Sequence, residues 1–431
     1  MTATETHRAV EAVWRIESSR LIAGLTRLVR DVGLAEDLAQ DALVAALERW
    51  PVSGIPDNPG AWLMATAKHR AIDHHRRSTR LDAKHAALGI ELDAERDAEV
   101  AKLDAALDDP VGDDLLGLMF MTCHPVLPSE GQVALTLRLP GGLSTPEIAR
   151  AFLVPEATVA QRMVRAKRTL AQAKIQFEVP RGAELAARMP AVLGVIYLIF
   201  NEGYSATAGN AWTRPTLCDE ALRLGRILAE LAPEEGEVHG LVALMELHAS
   251  RLRARSGPAG EPILLLDQDR ARWDQMLIHR GLAALARAAS LGELGPYGLQ
   301  AAIAACHARA RVASETDWIR IAALYSALVL RAPSPVVELN HAVAIGMAFG
   351  AEPALVLVDA LRDEGLLAQY YLLPSVRGDL LEKIGRFDEA AAEFEAGGSL
   401  THNERERTIL LDRAQRARRH AAGVPPASSA S

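Results

Sequence analysis

The chain has 431 residues, enough for roughly two to four domains with ample core. Only 4% of them are aromatic, and the Ala-, Leu- and Arg-rich composition with few β-branched runs predicts an all-α fold. The net charge of −8 argues, as an average, against a nucleic-acid partner, but the charge is segregated along the chain. Three cysteines, Cys123, Cys218 and Cys306, are odd in number and far apart, which speaks against a disulfide framework and for a reducing, cytoplasmic setting. The N-terminus has no signal-peptide core, and no run of about 18 apolar residues occurs, so no membrane span is expected. Cys123-His124 has no second ligand pair nearby, so no metal and no other cofactor is expected.

Residues 7–80 read as a first helical block. Gly33 to Trp50 is amphipathic: Leu38, Ala42 and Ala45 can face inward, while Asp37, Gln40, Asp41 and Glu48 share another flank. An acidic flank of this kind is most often simply solvated. Val52 to Pro59 is a Pro/Gly/Asn loop. Gly60 to Arg77 is a helix that turns basic, with Lys68, Arg70, Arg76, Arg77 and Arg80 opposed only by Asp73. Trp62 near its start reads as a core residue or as a platform for an unstacked base.

Residues 81–113 read as a linker. From 91 to 114, ten acidic side chains face two basic ones. Residues 114–176 form a second block whose later part carries the most specific motif. Thr145 can cap a helix, Pro146 suits its first position, and Glu147 favours the positive end of its dipole. Val154-Pro155-Glu156 breaks and restarts the helix. In the second helix Val159, Met163, Ala166 and Leu170 form one apolar stripe. Off that stripe lie Thr158, Gln161, Arg162, Arg165 and Arg168, with Glu156 at the N-terminus. Gln pairs with adenine and Arg with guanine or phosphate, so this face suits a major groove. The bland alternative is a surface helix with a solvated basic face.

Residues 180–420 read as a long helical region, and 421–431 as a disordered tail. Ala390, Phe394 and Gly397 repeat the offsets of Ala354, Val358 and Leu361, and less well those of Arg320, Leu324 and Ala327, in steps of 36 and 34 residues. That period fits a helix-turn-helix repeat of the tetratricopeptide type. Asn201-Glu202-Gly203-Tyr204 and Asp267-Gln268-Asp269-Arg270 are polar clusters beside apolar helices, suited to packing, an interdomain contact or a small-ligand pocket.

Taken in order, these motifs resemble the extracytoplasmic-function (ECF) group of sigma-70 family RNA polymerase sigma factors. The run Glu36-Asp37-Leu-Ala-Gln40-Asp41 is similar to the region 2 surface that grips core polymerase at the β′ clamp helices. Pro59-Gly-Ala-Trp62-Leu63 through Arg76 is similar to the helix that opens and reads the −10 element, although Lys68-His69 stands where the family usually has Arg-Asn. The resemblance implies −10 contacts from Trp62, Lys68, Arg70, Arg76 and Arg77, with the 52–58 loop as a pocket for a flipped base. It implies −35 contacts from Glu156, Thr158, Gln161, Arg162, Arg165 and Arg168, and a region 4 partner in the polymerase β flap. The acidic linker would then be a spacer or an RNA mimic.

Tyr197 to Tyr204, Leu265 to Trp273, Gly295 to Ile303 and Cys123-His-Pro125 resemble a subgroup with a C-terminal tetratricopeptide-like extension. That extension would have an intramolecular or protein partner and regulate activity. A sigma factor is no enzyme, and no catalytic constellation accompanies these motifs. The competing reading is a helix-turn-helix regulator with a repeat-type sensor domain, which leaves the Asp37/Gln40/Asp41 flank and the second basic helix unexplained.

Overall fold

The computed structural model describes residues 3–85, 111–152, 154–204, 214–257, 263–401 and 404–422. Most of the acidic linker and the tail fall outside the described residues. Every regular element among the described residues is helical, as the composition predicts. The chain divides into two compact units, 1–232 and 233–431.

The first unit begins with three helices that pack on one another, α1 (Ala3–Val29), α2 (Val32–Ser53) and α3 (Pro59–His85). Asp31 caps α2 by accepting from the N–H groups of Gly33 and Leu34, at 2.7 and 2.9 Å. Leu25, Ala42, Trp50, Leu63 and Ala67 build the shared core. Asn58 caps α3 by accepting from Ala61 N–H at 3.0 Å, and Pro59 follows at the first helical position.

Then come α4 (Val111–Thr122), α5 (Ser129–Arg138), α6 (Thr145–Phe152) and α7 (Glu156–Gln172). The cap of α6 is Ser144 rather than Thr145. The Ser144 hydroxyl accepts from Glu147 N–H while the Glu147 carboxylate accepts from Ser144 N–H at 2.8 Å, a reciprocal capping box. The Cys123 thiol lies within 3.4 Å of the Thr136 hydroxyl, and burial pushes it up to about 11, so it is an inert core group.

Two further helices belong to this unit, α8 (Ala183–Tyr204) and α9 (Pro215–Leu231). They cross closely at Gly203, where a Cβ would fall 2.7 Å from the Cys218 nitrogen. By length and composition α8 is apolar enough to cross a membrane. Its residues Val192, Leu193, Ile196, Ile199 and Phe200 are buried within the unit.

The second unit comprises α10 (Gly236–Ala249), α11 (Gln275–Ser290), α12 (Pro296–Arg309), α13 (Trp318–Arg331), α14 (Pro335–Phe349), α15 (Ala351–Glu364), α16 (Leu372–Lys383), α17 (Phe387–Leu400) and α18 (Glu404–Ala421). From α12 on, each helix packs against its successor. Ala354, Val358, Leu361, Ala390, Phe394 and Gly397 are all buried, as their common offsets predict. The third set lies one residue off: Arg320 is exposed, and Ile321 and Leu328 turn inward instead. Arg377 is buried against Asp359 and Glu393, each at 2.7 Å, and ties α16 to α15 and α17.

A buried polar cluster in this unit gives it a pH dependence. His307 on α12 is held down to about 4, first by burial and then by the fields of Arg251 and Arg270. His248 on α10 is half-buried, and desolvation lowers it in the same direction. Because the folded value lies below the unfolded one, the unfolded chain binds a proton that the folded chain refuses. The contribution of His307 is therefore complete above about pH 6.5 and is lost as pH falls toward about 4. At 1.36 kcal/mol per unit the loss is about 3 kcal/mol. Urea unfolding across that window should show it, and His307→Gln should flatten the slope; equal slopes for both proteins would contradict this cause.

Candidate nucleic-acid interface

Helix α7 buries Val159, Met163, Ala166 and Leu170, the four residues of its predicted stripe. Glu156, Gln161, Arg165 and Arg168 are exposed on the other side, and Thr158 and Arg162 are half-buried. Arg162 pairs with Glu130 at 3.2 Å. Arg165 and Arg168 make no ion pair with a described residue, so two guanidinium groups a turn apart face outward. Such a face can neutralise phosphates and reach base edges.

Helix α3 offers a second surface. Leu63, Ala67 and Ala71 are buried, His69 is exposed, and Lys68 and Arg70 are half-buried. Arg70 pairs with Asp41 of α2 at 3.1 Å. Trp62 is half-buried and stands edge-on to Trp50, with ring centroids 5.3 Å apart. It is thus both a packed residue and a partly open ring. Arg76 and Arg77 lie on α3, but their side chains are outside the described residues.

The acidic flank of α2 splits in two. Asp37, Gln40 and Asp41 are exposed. Glu36 is 4% exposed and turned the other way. Its carboxylate accepts from Arg138 of α5 at 2.7 Å, from Lys167 of α7, and from Gln40 at 3.1 Å. Burial alone would raise its pKa; the charge and hydrogen bond of Lys167, followed by those of Arg138, outweigh that and hold it below the usual carboxylate value. Arg138 and Glu36 are 102 residues apart, and nothing local in the sequence marks Arg138 as a partner.

The two polar clusters of the extension have separate roles. Glu202 pairs with Arg214, whose guanidinium donates to the carbonyl of Ala151 at the end of α6. The contact lies within the first unit and joins α8 and the start of α9 to the helix-turn-helix block. Asp269 caps a 3-10 turn through Ala271 N–H at 3.0 Å. Arg270 is buried in packing, donating to the carbonyls of His307 and Ala310 and to the Thr316 hydroxyl. Two more arginines reach the helix-turn-helix block. Arg223 donates to the carbonyls of Pro140 and Gly141, both at 2.9 Å, and Arg188 to that of Phe120 at 3.2 Å.

Comparison with known proteins bears on these surfaces. Residues 15–81 match the sigma-70 region 2 family and residues 117–170 the sigma-70 region 4 family. Residues 188–289 match a family of unknown function, DUF6596, and so run from α8 into α11. An uncharacterized protein of Rhizobium meliloti is 44% identical over 391 residues, covering 90% of this chain and 91% of that protein. A probable ECF RNA polymerase sigma factor, SigI, of Mycobacterium tuberculosis is 29% identical over 170 residues, covering 39% of this chain and 57% of that one. The region 2 match contains α2 and α3 up to Leu81, and the region 4 match contains α7 up to Leu170.

Proposed function

The chain belongs to the ECF group of the sigma-70 family and is an RNA polymerase sigma factor, and from this premise we propose which of its surfaces meet core polymerase and promoter DNA. The exposed face of α2, Asp37, Gln40 and Asp41, docks on the β′ clamp helices, joined by Glu36 when that residue is free. Region 4 meets the β flap. Helix α3 reads the −10 element, with Trp62 stacking on an unpaired base and Lys68, Arg70, Arg76 and Arg77 holding the backbone. Helix α7 enters the major groove at the −35 element, with Thr158 and Gln161 on base edges, Arg162, Arg165 and Arg168 on phosphates or guanine, and Glu156 at the groove entrance. The extension, read as tetratricopeptide-like over residues 315–415, regulates this activity.

The observation that carries the reading is the pairing of an outward basic face on α7 with an open acidic face on α2, inside the two matched regions. A sigma factor supplies binding energy rather than bond chemistry. It makes opening cheaper at A·T-rich steps, where unstacking a base costs a few kcal/mol. A helix-turn-helix regulator with a sensor domain needs no acidic polymerase-docking face and is not favoured.

Arg165 gives a direct test. Arg165→Ala in the holoenzyme should weaken promoter binding by about 1–3 kcal/mol and make the salt dependence shallower by about one unit of slope. Promoter titrations at several salt concentrations read both. Unchanged affinity and slope would remove Arg165 from the DNA interface.

A further inference from the structure

We propose that Gln268, Arg270 and Trp273 of the second unit, together with His307 of α12, form a binding site for inorganic phosphate. The phosphate oxygens accept from Arg270 Nε, Trp273 Nε1 and His307 Nδ1, and its own O–H donates to Gln268 Oε1. The site lies outside both sigma-70 matches and apart from the surfaces assigned to polymerase and promoter.

These four atoms are buried and have no hydrogen-bond partner among the described residues. Such atoms stand singly at Ser18 and Trp50, whereas here four belong to one cluster. Gln268, Arg270 and Trp273 are only 6%, 8% and 4% exposed. One short turn delivers all three. Asp269 caps the 3-10 turn Arg270–Arg272, and Asp267, Asp269, Ala271 and Arg272 stay exposed around the inward residues. The cluster therefore stands directly beneath the surface. A buried polar atom without a partner costs the full desolvation of its group, so four in one place call for a shared partner.

The remaining polar atoms of these side chains are fixed, which sets the roles of the free ones. Gln268 Nε2 donates to the carbonyl of Ile263 at 3.0 Å, so Oε1 is the atom left to accept. Arg270 commits its two terminal nitrogens to the carbonyls of His307 and Ala310 and to the Thr316 hydroxyl, and keeps its Nε–H. Its guanidinium also lies 5.1 Å from the centre of the Trp273 ring, so Arg270 touches both other donor residues. His307 joins as a donor in the tautomer that carries its proton on Nδ1.

Charge favours an anion here. After burial itself, the fields of Arg251 and Arg270 hold His307 down, and those of Arg251 and Arg255 act on His248 in the same way. The acids on the flanking elements are Glu315, which acts on Arg270, and Glu246, which pairs with Arg280 at 3.6 Å. Three donors and one acceptor then select among anions. Carboxylate and sulfate carry no O–H at neutral pH and would turn a lone pair toward Gln268 Oε1. Inorganic phosphate keeps an O–H at that pH and satisfies all four atoms.

Calorimetric titration of the full chain at constant ionic strength tests the site. Inorganic phosphate should bind saturably, one ion per chain. Sulfate, of the same shape but without an O–H, should bind at least about tenfold more weakly. Trp273→Phe keeps the packing, deletes one donor and should weaken phosphate about tenfold. Gln268→Met should erase most of the preference for phosphate over sulfate. The comparison of the two ions needs no substitution: absent phosphate binding, or equal binding of both ions by the unaltered chain, overturns the site even where a variant fails to fold. Phosphate binding that is unchanged in a folded Trp273→Phe places the ion elsewhere, such as on the basic face of α7, and overturns it too. None of these outcomes depends on polymerase or promoter, so the site and the sigma-factor reading stand or fall separately.

Discussion

Trp50→Ala is expected to destabilise the first unit by about 3–5 kcal/mol and to abolish promoter-specific initiation. Trp50 is among the largest fully buried side chains, at the end of α2, and its ring meets Trp62 of α3 edge-on. Removing it opens a cavity where α2 supports α3. Helices α2 and α3 then lose their common anchor. Trp50→Phe should cost much less, because it keeps most of the ring and deletes an indole N–H that has no partner among the described residues. Urea unfolding measures both variants. A loss below about 1 kcal/mol for Trp50→Ala would show that the site collapses without penalty.

In the second unit, Arg270→Ala should cost about 3–5 kcal/mol. Arg270 is 8% exposed, and its guanidinium lies over the Trp273 ring at 5.1 Å. It satisfies the carbonyls of His307 and Ala310, at the end of α12, and the Thr316 hydroxyl ahead of α13. Truncation leaves those acceptors buried without a donor. Arg270→Lys should recover little, since one ammonium cannot reproduce a planar fork that reaches three acceptors. Denaturant midpoints of the two variants close to that of the unaltered chain would contradict the clamp.

The apolar stripe of α7 was legible in the sequence because burial on one side leaves a period of 3.6 residues, and all four predicted residues face inward. The start of α6 was legible to within one residue. Both Ser144 and Thr145 can cap, and the deciding sign was Glu147 three positions after Ser144. The register of α13 slipped because Ala322, Ala323 and Ala327 blur the contrast between its faces, and Ile321 rather than Arg320 turns inward.

The setting of Glu36 was not legible at all. Its partners are 102 and 131 residues away, so the sequence shows an acid on an acidic flank and nothing of the basic pair that covers it. The place of α8 and α9 was hidden for the same reason. Pro180 reads as the start of a separate extension, but Arg188, Arg214 and Arg223 join those helices to the helix-turn-helix block through backbone carbonyls. Carbonyl acceptors carry no side-chain signature, and only packing reveals them.

Transcription with purified core polymerase tests the central claim most directly. Core enzyme alone initiates without promoter preference. Adding this protein should produce discrete, promoter-dependent initiation on a template carrying its −35 and −10 elements, selected beforehand from a pool of genomic fragments. Arg165→Ala should weaken that initiation and Trp50→Ala should abolish it. Initiation by core enzyme that stays the same on every fragment, with and without the protein, would contradict the account.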